Sequence, residues 1–335
     1  MRRGISTSTH LPPLLLTISK ISTLKMSDMN MDDCTLATCP IDLAYINYQP
    51  NIPANVLFLV IFGLLLAAQI ALGTWFRTWT YMGAMAAGLI LEILGYIGRL
   101  MMHSNPFDFN AFLLYLICLT IAPAFFTAAI YICLGRIVIV YGEDISRIRP
   151  RTYTILFVTC DIIALVLQAA GGAITSIADS DQKSLGDTGV NIMIAGLAFQ
   201  VASLTLFIVL ASEFALRVRR SSEVMKNAST ASVRSGLKWK MFLLCLAIAV
   251  LTIFTRSIFR VAELKGGFNS HLANDEIALM ILESTMIAIA CICMTAAHPA
   301  VAMGRRWGEL SAKSRRGVVP SKMSHASSEI EMMNA

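Results

Sequence analysis

The sequence has few charged residues: aspartate, glutamate, lysine and arginine make up 14% of its 335 residues. Soluble globular proteins usually carry about 25% charged residues. This deficit excludes a chain that lies mainly in water. The net charge of +6 does not indicate nucleic-acid binding, because the basic residues lie between long apolar runs. Basic residues in that position report the orientation of a membrane protein instead.

Several catalytic and cofactor-binding patterns are also missing. The sequence contains no G-x-x-x-x-G-K-[ST] loop, so it has no nucleotide-binding motif that would drive transport with ATP. It contains no H-E-x-x-H motif, and four of its five histidines lie in predicted loops or tails, which disfavours a zinc hydrolase. The last apolar run has no lysine, which excludes a retinal Schiff base there. We therefore expect no enzymatic activity, no cofactor and no metal.

Apolar residues make up 56% of the chain and are gathered in seven long runs. A helix needs about 20 apolar residues to cross the hydrocarbon core of a bilayer. The sequence therefore predicts an all-α, polytopic membrane protein, a bundle of seven transmembrane helices. The predicted spans are 53–73, 79–102, 111–135, 152–178, 189–212, 240–262 and 276–299.

The loops differ in their content of basic residues, and this difference predicts the orientation. Lysine and arginine are concentrated after the first, third, fifth and seventh runs. Because cytoplasmic loops carry such an excess, we expect the N-terminus outside and the C-terminus in the cytoplasm. The chain then divides into an extracellular segment 1–51, a transmembrane domain 52–303 and a disordered cytoplasmic tail 304–335. Loop 213–239 and the tail are candidates for contact with a cytoplasmic partner.

The N-terminal segment has two further features. Residues 1–25 are rich in serine and threonine and contain no acidic residue, which fits a transit-like segment, a weak signal or an unused upstream start. In the last case residues 1–25 are absent from the mature protein. Cys34 and Cys39 follow in the polar segment, and an outside location permits a disulfide between them.

Charged side chains lie within the second, fourth, sixth and seventh apolar runs, and a glutamine lies near the middle of the fifth. A charged residue at the centre of a membrane helix costs about 2.5–3.5 kcal/mol on insertion scales, and such residues usually face the helix bundle and mark a substrate or ion pathway. The candidate pathway residues are Glu92, Arg99, Asp161, Gln168, Gln200, Arg256, Arg260, Glu263 and Glu283. We expect them to line a polar groove that is more open to the outside. The alternative is a set of ion pairs that fix helix packing, with Glu283 paired to Arg256 or Arg260.

Five other residues are candidates for structural or gating roles. Pro123 lies inside the third run, where it frees the carbonyl of Leu119 and favours a kink. The pair Gly171-Gly172 permits close contact between helices. His298-Pro299 ends the seventh run.

The order of these residues resembles the fungal RTA-like family, also called the lipid-translocating exporter family. The resemblance covers residues 34–303. It rests on Tyr48-x-Pro50 and Asn55, E-x-x-G-Y-x-x-R at 92–99, Ala122-Pro123, Tyr131, Gly135-Arg136, Asp161 with Gln168 and Gly171-Gly172, R-x-x-x-R-x-x-E at 256–263, Glu283 and His298-Pro299.

This resemblance implies transport of lipids or toxic amphiphiles, such as sphingoid bases, phospholipids or sterol-like compounds, and a plasma-membrane location. The partners are then membrane lipids or amphiphilic small molecules rather than nucleic acid. The arginines would attract phosphate or carboxylate groups, while Glu92, Asp161 and Glu283 would meet an amine or carry protons. A seven-helix lipid-sensing receptor, or a regulator of another transporter, is the alternative function.

Overall fold

The computed structural model describes residues 44, 46, 48–142, 145–147, 149–177, 183–221, 234–265 and 276–303. Within these ranges seven helices are long and apolar enough to cross a membrane, and there is no strand. They are α1 (Ile52–Trp75), α2 (Trp79–Ser104), α3 (Phe109–Tyr141), α4 (Pro150–Ile177), α5 (Lys183–Arg220), α6 (Leu237–Lys265) and α7 (Glu276–Met303). The predicted all-α fold with seven spans is confirmed. The side of the membrane on which each terminus lies stays a prediction.

Helix α7 is not uniform. It begins with the α-helical turn Glu276–Leu279, continues as a π-helical segment over Met280–Thr285, and returns to α-helix over Met286–Ala296. A short helix, Pro299–Met303, follows after a break at His298. The break is expected because the residue before a proline disfavours the helical conformation.

Two helices extend well beyond the predicted spans. Helix α3 passes through Arg136 and ends at Tyr141. The capping residue Gly142 has a φ of 129°, which is open to glycine but strained for other residues. Helix α5 continues to Arg220, and an ion pair of 2.8 Å between Glu213 and Arg217 stabilises its last turns. Hydropathy marks the apolar part of a helix, whereas backbone geometry and capping decide where it ends.

The helices form a closed ring, and one of them also contacts a helix on the far side of that ring. Each helix packs against the next in the chain, and α7 closes the ring by packing against α1. Helix α3 also contacts α6, and its 18-residue apolar core is 61% buried, the largest share among the seven spans. Residues of α3 therefore face both the α6–α7 side and the α4–α5 side of the bundle.

Close approach of the helices depends on particular glycines. A Cβ at Gly98 would lie 2.9 Å from the Tyr115 backbone nitrogen, so only glycine lets α2 and α3 pack this closely. At Gly171 a Cβ would lie 2.6 Å from the carbonyl oxygen of Gly189 in α5. The position of Gly172 is different, because a Cβ there would meet no atom within 4 Å. The expected close helix contact is therefore made by the first glycine of the pair and not by the second.

Candidate functional site

Four charged side chains from α6 and α7 form a buried ion network. Arg256 Nη2 lies 2.8 Å from Glu283 Oε1, and Arg260 Nη1 lies 2.8 Å from Glu263 Oε2. Arg260 Nη1 also lies 3.8 Å from Glu283 Oε2, so Glu283 contacts both arginines. Two positive and two negative side chains balance each other here. The ion-pair alternative raised by the sequence is present in the structure, and it does not exclude a role in transport.

The network is anchored to α3 through the proline in that helix. Pro123 has no backbone N–H, so the carbonyl of Leu119, four residues earlier, lacks its helical partner. Arg256 Nη2 donates a short hydrogen bond to that carbonyl. One turn of α6 further on, Arg260 Nη2 donates to the Thr120 hydroxyl at 3.3 Å. The proline thus provides an acceptor for an arginine from another helix.

Glu283 lies within the π-helical segment of α7. The Thr285 hydroxyl donates to the Met280 carbonyl at 2.9 Å, across the widened turn. Short π-helical segments inside α-helices are uncommon and occur frequently at functional sites. The position of this segment at Glu283 indicates that the local backbone of α7 is adapted to the placement of that side chain.

Arg99 lies in a second polar group, at the end of the bundle where α2 finishes and α7 begins. Its Nε donates to Asn55 Oδ1 at 2.8 Å, and its Nη2 lies 3.3 Å from the Tyr48 hydroxyl. Its guanidinium lies 5.1 Å from the Tyr115 ring centroid, and 3.8 Å separates it from the Glu276 carboxylate. Burial raises the pKa of Tyr48 above its usual range, which keeps this hydroxyl neutral beside the arginine.

Glu92 lies in α2 near the ion network and is 2% exposed. Its electrostatic neighbours include Arg256 and Glu283. Among the described residues it forms no ion pair within 4 Å, and its Oε1 has no hydrogen-bond partner. Glu92 is therefore a buried acid beside a network whose charges are already balanced.

The remaining pathway candidates lie in α4 and α5. Thr127 of α3 donates to Asp161 Oδ2 of α4 at 2.8 Å. Gln168 Nε2, two turns further along α4, donates to Gln200 Oε1 of α5 at 3.0 Å. The nine candidates therefore form separate groups: those near α6 and α7, those around Arg99, and those between α3, α4 and α5.

The sequence analysis did not single out Thr120, Thr127 or Glu276, which belong to these groups. Hydroxyl side chains in helices commonly bond a carbonyl of their own helix, so a lone threonine or serine gives no signal of a site. The seven-residue spacing of Thr120 and Thr127 places both on one face of α3. That spacing was the signal in the sequence that could have indicated a polar face of α3. In the structure each hydroxyl contacts a charged residue of another helix.

His298 and Pro299 have a local structural role. His298 is 1% exposed, and its Nδ1 accepts a hydrogen bond from the Ala300 backbone nitrogen at 3.3 Å, capping the short last helix. The His298 ring stacks on Phe76 at 6.0 Å between centroids and contacts the edge of Tyr81 at 5.2 Å. A groove of about 250 Å³ lies beside it, between α6 and the end of α7.

Several predictions concern residues outside the described part of the chain. These are the disulfide between Cys34 and Cys39, the nature of residues 1–25, the tail 304–335 and the middle of loop 213–239. Across the ranges that the structure describes, no three His, Cys, Asp or Glu residues are grouped in a way that could hold a metal ion.

The chain is similar to known proteins over most of its length. The model of the RTA1 like protein family matches residues 85–306. The sphingoid long-chain base transporter RSB1 of Saccharomyces cerevisiae is 37% identical over 283 residues, which cover 77% of this chain and 74% of that protein. No solved structure matches the chain.

Two further yeast relatives match a shorter part of the chain. Protoporphyrin uptake protein 1 of Saccharomyces cerevisiae is 30% identical over 209 residues, covering 62% of this chain and 65% of that protein. Protein RTM1 of the same organism is 29% identical over 206 residues, covering 61% of this chain and 63% of that protein. The family model matches residues 85–306, and a relative of 37% identity covers 77% of the chain, so the chain belongs to the RTA1-like family.

Proposed function

We propose that this protein is a membrane transporter that moves long-chain amphiphiles, with sphingoid long-chain bases as the first candidates, between the two leaflets of a membrane. The observation that carries this proposal is the 37% identity, over 77% of the chain, to a protein named as a sphingoid long-chain base transporter. The two relatives at 29–30% identity have other names, so phospholipids, sterol-like compounds and other amphiphiles stay candidates.

The helix bundle supplies what such a transporter needs. The head group of an amphiphile cannot cross the hydrocarbon core alone, whereas its tail can stay in lipid. Buried polar residues between the helices would receive the head group during passage. The sequence has no ATP-binding loop, so energy would come from a lipid gradient, an ion gradient or a partner. In this role the protein binds and moves its substrate without changing it chemically.

The orientation and location belong to the same proposal. Basic residues of the described chain are concentrated at the helix ends that we expect to face the cytoplasm. They include Arg77 after α1, Arg147 and Arg149 after α3, and Arg217 and Arg219 near the end of α5. This bias supports an N-terminus outside and a cytoplasmic C-terminus. We place the protein in the plasma membrane, with loop 213–239 and the tail available to a cytoplasmic partner.

The proposal is tested by flux in liposomes. Purified protein is reconstituted with tail-labelled sphinganine or phospholipid, and the fluorescence that an impermeant quencher cannot reach is followed with and without a pH gradient. We expect the native protein to accelerate crossing of the long-chain base. The variant Arg147→Gln is the control and should transport like the native protein. Arg147 is 66% exposed in its pair with Glu213 and lies outside the polar interior.

Failure of every reporter to cross, by a folded protein under all gradients, would contradict the proposal. A seven-helix receptor or a regulator of another transporter would then be the better account. Lipid-dependent binding of a cytoplasmic protein to the same liposomes would support that alternative directly.

A further inference from the structure

An aromatic layer fixes the register of α3, α4 and α5. It consists of Tyr131, Phe157 and Phe207, one residue from each helix. Ring centroids lie 4.7 Å apart for Tyr131 and Phe207, 5.3 Å for Phe157 and Phe207, and 5.4 Å for Tyr131 and Phe157. All three side chains are buried. The three helices therefore meet at one level of the bundle.

A polar layer lies one turn away from the aromatic layer. Because α4 runs antiparallel to α3 and α5, a step of four residues forward in α4 matches a step of four backward in the other two. Each step is about 6 Å and stays on the same helix face. The three residues at this level are Thr127, Asp161 and Ser203. All are at least nine-tenths buried, with exposures of 2%, 4% and 7%.

The polar layer contains hydrogen-bonding atoms that the described residues leave unsatisfied. Thr127 donates to Asp161 Oδ2, and the Tyr131 hydroxyl lies beside the carboxyl group. Asp161 Oδ1 receives no hydrogen bond of good geometry, and Ser203 Oγ has no partner. Gln168 Oε1, further along α4, has none either. Buried polar groups are normally satisfied, so these oxygens indicate a place that receives donors from a ligand.

Asp161 also differs from the other buried acids in its charged surroundings. Glu263 and Glu283 each form an ion pair with arginine, and Glu92 lies near Arg256. No lysine or arginine of the described chain pairs with Asp161, whose contacts are with hydroxyl groups. A buried carboxylate without a counter-charge is costly. It is therefore the acid in the bundle best suited to a cationic ligand.

We infer that the polar layer is a head-group site in which Asp161 binds the ammonium group of a long-chain base. This inference rests on the proposed function and adds the location of the site. A sphingoid base carries an amine between two hydroxyl groups. The hydroxyls of Thr127 and Ser203 offer acceptors and donors near the carboxylate for those hydroxyl groups. The balanced ion network of α6 and α7 reaches the same face of α3 at Thr120, about two turns or 10 Å away along the helix, and its arginines are already paired with glutamates.

Binding in nanodiscs tests the site without requiring transport. Tail-labelled sphinganine is titrated against the native protein, and unlabelled sphinganine, N-acetylsphinganine and octadecylamine compete with it. N-acetylation removes the positive charge but keeps the hydroxyl groups, whereas octadecylamine keeps the charge but lacks the hydroxyl groups. We expect the native protein to prefer sphinganine over both competitors.

The variants separate the effect of the Asp161 charge on binding from the effect of the hydroxyl contacts. Asp161→Asn should weaken sphinganine binding by about ten- to a hundredfold and leave N-acetylsphinganine little changed, since a charged hydrogen bond is lost in one case only. Asp161→Glu should keep the preference for the amine. Ser203→Ala should reduce the preference for sphinganine over octadecylamine by a few-fold. Each variant is first checked for folding by size-exclusion chromatography and thermal unfolding.

Three results would overturn the inference. In the first, Asp161→Asn keeps the preference for the amine. In the second, Glu92→Gln loses that preference and Asp161→Asn does not, which would place the ammonium site beside Arg256. In the third, the native protein binds sphinganine and N-acetylsphinganine equally but Asp161→Asn abolishes pH-driven flux, which would make Asp161 a proton carrier. In all three cases the native protein still transports, whereas failure of native flux would contradict the proposed function itself.

Discussion

Glu283→Gln is the most informative single substitution in the ion network. Glutamine is close to glutamate in size, so the change removes charge without leaving a cavity. Arg256 would keep its hydrogen bond to the Leu119 carbonyl but lose its 2.8 Å ion pair, while Arg260 would keep Glu263. Removing one partner of a buried ion pair costs about 3–5 kcal/mol, because the other charge stays buried. We expect the lower end of this range, since Arg256 retains one strong acceptor.

The free cysteines of the bundle provide the assay. Cys118, Cys133 and Cys291 are buried, so a dye that becomes fluorescent on reaction with thiols reports unfolding as the temperature rises. Glu283→Gln should unfold several degrees below the native protein. Arg147→Gln is the control, because exposed pairs contribute about 0–1 kcal/mol. If both variants unfold at the native temperature, the network does not hold the helices together and our account of it is wrong.

Two further predictions concern the backbone. Gly171→Ala should destabilise the protein by about 1–3 kcal/mol through overpacking against α5, whereas Gly172→Ala should be nearly neutral because open space surrounds it; thermal unfolding of the two variants checks this directly. Pro123→Ala restores an N–H that competes with Arg256 for the Leu119 carbonyl, so it should leave the fold intact but lower sphinganine flux in liposomes. Unchanged flux would show that this proline has no part in transport.

The sequence predicted the seven spans well because the length of an apolar run is set by the thickness of the bilayer. It also predicted that the polar residues of the spans are buried. It did not predict which residues pair, because Glu283 meets Arg256 and Arg260 only through the packing of α6 against α7. The π-helical segment of α7 leaves no mark in composition, so its position at Glu283 required the structure.

The described bundle carries four buried arginines, and the partners of three of them help to make it compatible with a cationic lipid. Arg256 and Arg260 are neutralised by Glu283 and Glu263, and Arg99 lies near Glu276 and accepting side chains. An arginine in an ion pair opposes an ammonium group far less than a free one, because its field is largely cancelled at the distance of a neighbouring helix.

Asp161, which forms no ion pair among the described residues, lies about two helical turns along α3 from these arginines. Asp161 contacts Thr127 of α3, while Arg256 and Arg260 contact Leu119 and Thr120, about two turns earlier in the same helix. A head group bound at Asp161 would meet a net negative charge in an otherwise uncharged layer. The same carboxylate would repel a phosphate, so selectivity for an amine over a phosphorylated lipid follows from this placement rather than from the total charge of the bundle.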